Sequence, residues 1–223
     1  MIVTIDGPAG SGKSTAARKL AARMEIPYLD TGAMYRAVAY AGLRRQVAFE
    51  DAETVAALAR ALDIQLDCGP THTRIRVDGH DVTEAIRTME VTAATSLVAR
   101  HPAVRRVLID LQRKIGAGLG SFITEGRDQG SVVFPNADFK FVLEANVERR
   151  AERRYQEMSA DGESVSYQAI LDNIRSRDGA DSKQWEPLLE GGGAVVIDTS
   201  QMSIAEVVER MVRRLGEKPG GAY

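Results

Sequence analysis

Residues 7–14 combine glycines, a lysine and a serine in the order G-x-x-x-x-G-K-S. An apolar run at 2–5 precedes them and a helical pattern follows, so they form a strand-to-helix turn. Glycines there let backbone N–H groups converge on an anion, which the positive end of the next helix also attracts. Lys13 can reach the β- and γ-phosphates of a nucleotide, and Ser14 can place its hydroxyl on Mg²⁺. This P-loop pattern predicts binding of a nucleoside triphosphate, through Gly7, Pro8, Ala9, Gly10, Ser11, Gly12, Lys13, Ser14 and Thr15.

Two polar residues follow the short run predicted as a strand at 27–29. Open α/β sheets bind ligands at the carboxyl ends of their strands, so Thr31 and Arg36 are candidates for contacts to a second anion. The alternative is that Thr31 is a helix N-cap and Arg36 an ordinary surface residue. The sequence alone leaves both interpretations open.

The strand predicted at 121–124 leads into the tetrapeptide Glu125-Gly126-Arg127-Asp128. Arg127 offers a guanidinium that can bind a phosphate through two parallel hydrogen bonds. Asp128 can accept a hydrogen bond from an exocyclic amine such as N4 of cytosine. Glu125 stands where P-loop proteins hold a carboxylate near the metal ion. As a bare tetrapeptide, the pattern has low specificity.

Arginines cluster after the strand predicted at 140–143, at positions 149, 150, 153 and 154. Arg150 and Arg154 are one helical turn apart, so they share a face and could bind nucleotide phosphates. The alternative is a solvated helix face whose charge is balanced by neighbouring glutamates. Further along, the charged residues that could close over a ligand are Arg177, Asp178 and Asp181.

Short apolar runs alternate with helical patterns along most of the chain. The predicted strands are residues 2–5, 27–29, 121–124, 140–143 and 194–197. The predicted helices are residues 13–24, 33–44, 52–62, 103–115, 147–158 and 204–215. Because the strand runs are short and continuously apolar, we expect helices to cover both of their faces. The alternation predicts an α/β fold with a mainly parallel sheet.

Two stretches interrupt this alternation. Residues 63–82 alternate polar and apolar side chains and contain Asp78-Gly79, a hairpin signal. We therefore expect an antiparallel insertion, followed by a helix near 88–99. Residues 155–184 are polar and charged, which predicts a two-helix excursion from the sheet. That excursion is either a mobile lid or a solvated helical hairpin.

Composition excludes several classes of function. The chain has 223 residues, enough for one α/β domain with small insertions. Its 29 Lys and Arg nearly balance 31 Asp and Glu, so a net charge of −2 gives no general attraction to nucleic acid or anionic membranes. The single cysteine, Cys68, excludes an internal disulfide, and the three histidines lack metal-ligand spacing. With no signal-peptide pattern and no apolar run of about 18 residues, we expect a soluble cytoplasmic protein.

The chain resembles the bacterial cytidylate kinases, members of the nucleoside monophosphate kinases. The resemblance rests on the segments at 5–15, 29–36, 86–88, 104–105, 125–135 and 177–178. Its most specific part is the run Gly126-Arg127-Asp128-Gln129-Gly130-Ser131-Val132-Val133-Phe134-Pro135. The resemblance implies a P-loop NTPase core with a five-stranded parallel sheet at 1–62 and 101–223, a small monophosphate-binding insertion at 63–100, and a helical lid at about 153–184.

The resemblance also implies an activity and a set of site residues. The reaction would be transfer of the γ-phosphoryl group of ATP to CMP or dCMP, with Mg²⁺ bound at Ser14. We also expect a monomer without nucleic-acid or membrane partners. The implied catalytic residues are Lys13, Arg127, Asp128 and Arg177, and Arg150 and Arg154 join the ATP site. Cytosine would be bound by Ser96, Arg105 and Asp128. The acceptor phosphate would be held by Thr31, Arg36 and Arg127. The ribose would contact Arg177 and Asp181.

The chain departs from the family pattern at two positions. Glu125 replaces a frequent aspartate, and Gln184 stands where the family usually carries an arginine facing the transferred group. Lys183 could supply a point charge there, but it cannot reproduce a bidentate guanidinium.

Other functions remain as rivals. A kinase for a small hydroxylated acid or sugar acid would need a base such as Asp30, and an adenylate or thymidylate kinase would differ in base choice. A GTP-dependent switch usually carries Asn-Lys-x-Asp, which is absent from the sequence. A nucleic-acid-dependent ATPase is disfavoured by the acidic charge balance.

Overall fold

A computed structural model describes residues 1–160, 166–181, 185–191 and 193–216, with the backbone alone at 177 and 179–181. The strands are β1 Ile2–Asp6, β2 Tyr28–Asp30, β3 Ile64–Cys68, β4 Thr73–Val77, β5 His80–Asp81, β6 Phe122–Glu125, β7 Phe139–Glu144 and β8 Val195–Asp198. The helices are α1 Lys13–Met24, α2 Thr31–Arg44, α3 Ala52–Ala61, α4 Met89–Ala99, α5 Pro102–Leu119, α6 Val147–Ala160, α7 Tyr167–Asp181, α8 Glu186–Glu190 and α9 Ile204–Gly216. A 3₁₀ turn spans Ala85–Arg87 and a π-helical turn spans Gln129–Val133.

Five strands form one sheet in the order β2-β6-β1-β7-β8. β1 pairs in parallel with β7, with Val3 beside Phe139, and β7 pairs in parallel with β8, with Phe141 beside Val195. Parallel neighbours require crossover connections, which the intervening helices supply. The side chains of Val3, Ile5 and Phe141 are fully buried, as expected for strands covered on both faces. The predicted α/β fold with a five-stranded parallel sheet is confirmed.

One compact unit comprises Met1–Glu25 and Ile123–Tyr223. Within it α1 packs against α9, and α6 packs against α7. The contact between α6 and α7 buries Ala151, Ile170, Leu171 and Ile174. These apolar residues explain why a mostly charged stretch forms a helical pair, and the predicted two-helix excursion is confirmed in the described part of the chain. Its role as a lid stays a prediction.

The other compact unit is Ile26–Phe122. It contains the antiparallel sheet β3-β4-β5, which confirms the antiparallel strands predicted within residues 63–82. Asp78 and Gly79 turn the chain between β4 and β5 with φ values of 51° and 80°, as a two-residue hairpin loop requires. Helix α4, expected near residues 88–99, packs against α2. The unit is wider than the predicted insertion at 63–100, because an apolar core including Ala37, Val55 and Val104 joins α2, α3 and α5 to it.

The π-helical turn at Gln129–Val133 has no signal in the sequence pattern. Its first amides bind the carboxylate of Asp6, more than 120 residues earlier in the chain, so local propensity could not reveal it.

Among the helices that the structure describes, none has the length and apolar character to cross a bilayer.

Candidate active site

The loop between β1 and α1 depends on glycine for its backbone conformation. Gly7 and Gly10 adopt φ values of 136° and 75°, which residues other than glycine rarely adopt. A Cβ atom at Gly7 would lie 2.1 Å from the carbonyl oxygen of Leu143, and one at Gly10 would lie 3.0 Å from Cβ of Arg150. Glycine at these two positions therefore lets the loop pack directly on β7 and α6.

Lys13 begins α1 and is almost fully buried, with 5% of its surface exposed. Its Nζ donates to the carbonyl oxygen of Pro8 at 2.7 Å, across the loop. The hydroxyl of Ser11 is also buried, and within the described part of the chain it has no hydrogen-bond partner. The loop thus holds a buried cation and a buried hydroxyl, two groups that can bind an anion.

The side chains of Ser14 and Glu125, each of which the sequence associates with a metal ion, are in direct contact. The hydroxyl of Ser14 donates to Oε1 of Glu125 at 2.9 Å, and Glu125 is buried at the end of β6. A hydroxyl and a carboxylate are oxygen donors that suit Mg²⁺, which usually takes few protein ligands and completes its shell with phosphate and water. No cluster of three His, Cys, Asp or Glu side chains suitable for a metal occurs in the described ranges. The pair therefore fits a cation that is shared with a bound phosphate.

Asp6 ties the turn after β6 to the end of β1. Its side chain is fully buried, and its two carboxylate oxygens accept the backbone N–H groups of Gln129 and Gly130, each at 2.8 Å. Burial raises the pKa of Asp6 from 3.8 to about 6 despite these hydrogen bonds, with a smaller upward contribution from Asp128 and a downward one from Lys13. Asp6 was not among the predicted site residues. The one signal for it is a carboxylate in an apolar strand directly before Gly7.

Arg150 lies in α6 and is buried, so the alternative of a solvated arginine face is wrong for this residue. Its Nε donates to the carbonyl oxygen of Ala145 at 2.9 Å, and one terminal nitrogen donates to the carbonyl oxygen of Ala9 at 3.3 Å. Both terminal nitrogens bind the carboxylate of Asp178, at 2.9 and 2.5 Å. The guanidinium therefore links α7 to the P-loop.

The other arginines of this cluster have different surroundings. Arg154 pairs with Glu157 at 3.2 Å on the exposed side, and it lines a cavity of about 320 Å³ together with Ala9 and Gly10. Arg153, which the site prediction omitted, donates to the carbonyl oxygen and hydroxyl of Thr199 at 2.7 and 3.0 Å. Thr199 in turn donates to the carbonyl oxygen of Ser11 at 3.1 Å. These hydrogen bonds therefore connect the segment after β8 to the P-loop.

A larger cavity of about 670 Å³ opens beside the same loop, within the same compact unit. The residues that line it include Pro8, Arg150, Asp178, Trp185 and Ser200. Asp178 borders both cavities. The P-loop is thus flanked by open space of the volume that small-molecule ligands occupy.

Two of the predicted acceptor-site residues follow β6. Arg127 is half-buried and Asp128 is buried, directly before the π-helical turn. Arg177 and Asp181 belong to α7, where the structure describes only their backbone, and residues 183 and 184 lie outside the described residues.

The remaining predicted residues belong to the unit Ile26–Phe122. Asp30 is the N-cap of α2, because its side chain accepts the N–H of Ala33 at 3.0 Å. The alternative in which Thr31 is the cap is therefore wrong, and α2 begins at Thr31 rather than at the predicted residue 33. Arg36 is half-buried rather than an ordinary surface residue, since it donates to the hydroxyl of Thr92 at 2.6 Å. Ser96 is exposed on α4 and Arg105 is half-buried on α5.

Comparison with known proteins decides the family. A sequence model of the family described as cytidylate kinase matches residues 3–217. The chain belongs to the cytidylate kinase family. A cytidylate kinase from Caldanaerobacter subterraneus is 43% identical over 220 residues, covering 98% of this chain and 96% of the relative.

Two further proteins are similar to this chain, one in sequence and one in structure. A bifunctional pantoate ligase/cytidylate kinase from Synechococcus is 44% identical across 100% of this chain, which covers 42% of that longer protein. The structure of shikimate kinase from Acinetobacter baumannii in complex with shikimate aligns with a TM-score of 0.51 at 13% identity, covering 98% of this chain and 95% of the other. At that identity the likeness shows the kinase fold alone. Sequence similarity, and not shape, separates the cytidylate kinase family from shikimate kinase.

Proposed function

We propose that this protein is a cytidylate kinase, which transfers the γ-phosphoryl group of ATP to CMP or dCMP and releases ADP with CDP or dCDP. The observation that carries the proposal is the match of the cytidylate kinase family to residues 3–217, which includes every predicted site residue. The alternative of a kinase for a small hydroxylated acid has only the shared fold in its favour.

ATP is the proposed phosphoryl donor, held by the loop from Gly7 to Thr15. Support comes from the positive φ values of the glycines in that loop and from Lys13, whose amine lies across it on the carbonyl oxygen of Pro8. Arg154 borders the cavity beside Gly10, where it could reach the same nucleotide. Arg150 would contribute through its link to Ala9, and its pairing with Asp178 would have to loosen before it could bind a phosphate directly.

Mg²⁺ is the proposed metal ion, with Ser14 and Glu125 as the protein groups beside it. When bound, this ion would neutralise part of the charge on the phosphates of ATP. Their hydrogen bond at 2.9 Å supports the pairing, because it keeps a hydroxyl and a carboxylate oxygen at one place at the start of α1.

CMP or dCMP is the proposed acceptor. We assign its phosphate to Thr31, Arg36 and Arg127, its base to Ser96, Arg105 and Asp128, and its ribose to Arg177 with Asp181. The buried carboxyl group of Asp128 supports a role in reading an amine, since a carboxylate accepts but does not donate. This choice would favour cytosine over uracil, which carries a carbonyl at the same position.

The proposed chemistry depends on position and charge. The second pKa of a phosphate monoester is about 6, so the acceptor is largely dianionic at neutral pH and needs no strong general base. The protein must hold two anions in line and neutralise the charge that develops between them. Lys13 and Arg127 supply positive charge, and α6 with α7 would act as a lid that excludes water.

A substrate panel tests this assignment. ADP release from ATP should be fastest with CMP and dCMP among CMP, dCMP, UMP, AMP, dTMP and shikimate. Preference for AMP or dTMP would contradict the assignment of the base-reading residues, and preference for shikimate would contradict the acceptor class. We also propose that the protein is cytoplasmic and that it is a monomer. Light scattering of the purified chain would check the monomeric state.

A further inference from the structure

Arg36 is anchored to a neighbouring helix of its own unit. One terminal nitrogen of its guanidinium donates to Oγ1 of Thr92 at 2.6 Å and approaches the carbonyl oxygen of Ile86 at 3.4 Å. Arg36 lies on α2, Thr92 lies on α4, and these two helices pack against each other. The first of the two contacts has the length of a strong hydrogen bond to a charged donor.

A second hydrogen bond fixes the orientation of the Thr92 hydroxyl. This hydroxyl donates its single hydrogen to the carbonyl oxygen of Thr88 at 2.9 Å, one turn earlier in the chain. Because a hydroxyl has one hydrogen and two acceptor lone pairs, a lone pair is what remains for Arg36. Thr88 is itself the N-cap of α4, with its side chain accepting the N–H of Val91 at 3.4 Å. The first turn of α4 therefore aims an acceptor at the guanidinium.

We propose that Thr92 is a positioning residue, which fixes the Arg36 guanidinium for the phosphate of the acceptor nucleotide. The inference rests on the proposed function, in which Arg36 holds that phosphate and Ser96 reads the base. Thr92 and Ser96 are four residues apart, so they share one face of α4. The helix thereby carries both the anchor of the phosphate-binding group and a group that binds the base, and it sets the spacing between them.

A positioning role for the phosphate predicts an effect that depends on the ligand. Removing the acceptor at Thr92 should weaken binding of CMP, because Arg36 loses its fixed direction. It should leave binding of cytidine unchanged, because cytidine has the same base and ribose but no phosphate. A merely structural contribution of Thr92 to the fold of α4 would weaken both ligands together.

The test uses three variants of the full chain. Thr92→Val removes the hydroxyl at nearly constant volume, and Thr92→Ser retains the hydroxyl. Thr95→Val is the matched control, because the Thr95 hydroxyl also bonds back along α4, to the carbonyl oxygen of Val91 at 2.6 Å. Binding of CMP and of cytidine would be measured by calorimetry or competition, and KM for ATP by kinetics.

For Thr92→Val we expect the Kd for CMP to rise about tenfold while the Kd for cytidine and the KM for ATP change less than about twofold. Thr92→Ser should remain within about threefold of wild type, and Thr95→Val should match wild type for every ligand. Equal effects of Thr92→Val and Thr95→Val, or equal losses of CMP and cytidine, would overturn the inference. Failure of the wild-type chain to phosphorylate CMP would instead overturn the proposed function, while the binding comparison still decides the role of Thr92.

Discussion

Lys13 is the residue on which the proposed phosphoryl transfer depends most. It is buried at the start of α1 and its amine lies across the loop on the carbonyl oxygen of Pro8. In water its charge would be heavily screened, whereas at this buried position it can act on a phosphate at close range. The same property makes its substitution informative.

Replacing Lys13 by alanine should lower kcat at least about 10³-fold, because the developing charge on the phosphates loses its nearest cation. Steady-state ADP release measures the effect. Lys19→Ala, which removes an exposed lysine from the same helix, is the control and should leave kcat within about twofold of wild type. Residual activity of Lys13→Ala above about a tenth of wild type would contradict the assigned role.

Asp6 gives a prediction about stability and pH. Its pKa is raised to about 6 by burial, so the folded protein binds this proton more tightly than the unfolded chain does. The favourable contribution is complete below pH about 4 and is lost as pH rises through about 6. At about 1.4 kcal/mol for each pH unit, the loss amounts to about 3 kcal/mol.

Urea unfolding at pH 4 and at pH 7 measures that loss. Asp6→Asn should be less stable at both values, because its side chain has one acceptor oxygen and would place its NH₂ group against one of the two backbone N–H groups. Its stability should also lack the Asp6 component of the pH dependence. Asp110→Asn, on the exposed part of α5, should retain the wild-type dependence. Parallel pH profiles for wild type and Asp6→Asn would contradict the raised pKa.

At the scale of elements, the contact between the P-loop and β7 requires glycine. Gly7→Ala should lower the free energy of unfolding by at least about 2 kcal/mol and abolish ATP binding, because the new Cβ would lie 2.1 Å from the carbonyl oxygen of Leu143. Gly118→Ala is a matched control in the exposed part of α5, with no atom within 4 Å of the new Cβ, and should raise stability by up to about 1 kcal/mol. Equal stability of the two variants in chemical unfolding would refute the close packing.

Most elements could be predicted because their signals are local. The β1–P-loop–α1 unit combines an apolar run, a glycine pattern and a helical repeat within 24 residues, and Asp78-Gly79 carries its own turn signal. The sequence left open whether Thr31 caps α2, and the cap is instead Asp30, which ends β2 and caps the helix at the same time. The gating role proposed for α6 and α7 remains a prediction, although their shared apolar contact explains why they pair.

For the whole molecule, the unpredicted features are contacts between residues distant in sequence. Asp6 and Gly130 are 124 residues apart, Arg150 and Asp178 are 28 apart, and Arg36 and Thr92 are 56 apart. Spacing along the chain cannot reveal which polar groups pair after folding. Helical spacing places Arg150 and Arg154 on one face, whereas the structure gives Arg150, Arg153 and Arg154 three different sets of partners.

The central claim is that one protein binds two anionic nucleotides, with the phosphates of ATP on the glycine loop and a cytosine base on Asp128. A crystal structure with adenosine and cytidine joined through five phosphates tests it most directly. We predict that the adenosine-side phosphates bind the backbone N–H groups of residues 10–14 and that N4 of cytosine donates to the carboxylate of Asp128. A cytosine ring bound away from Asp128, or phosphates bound outside the loop, would contradict the account.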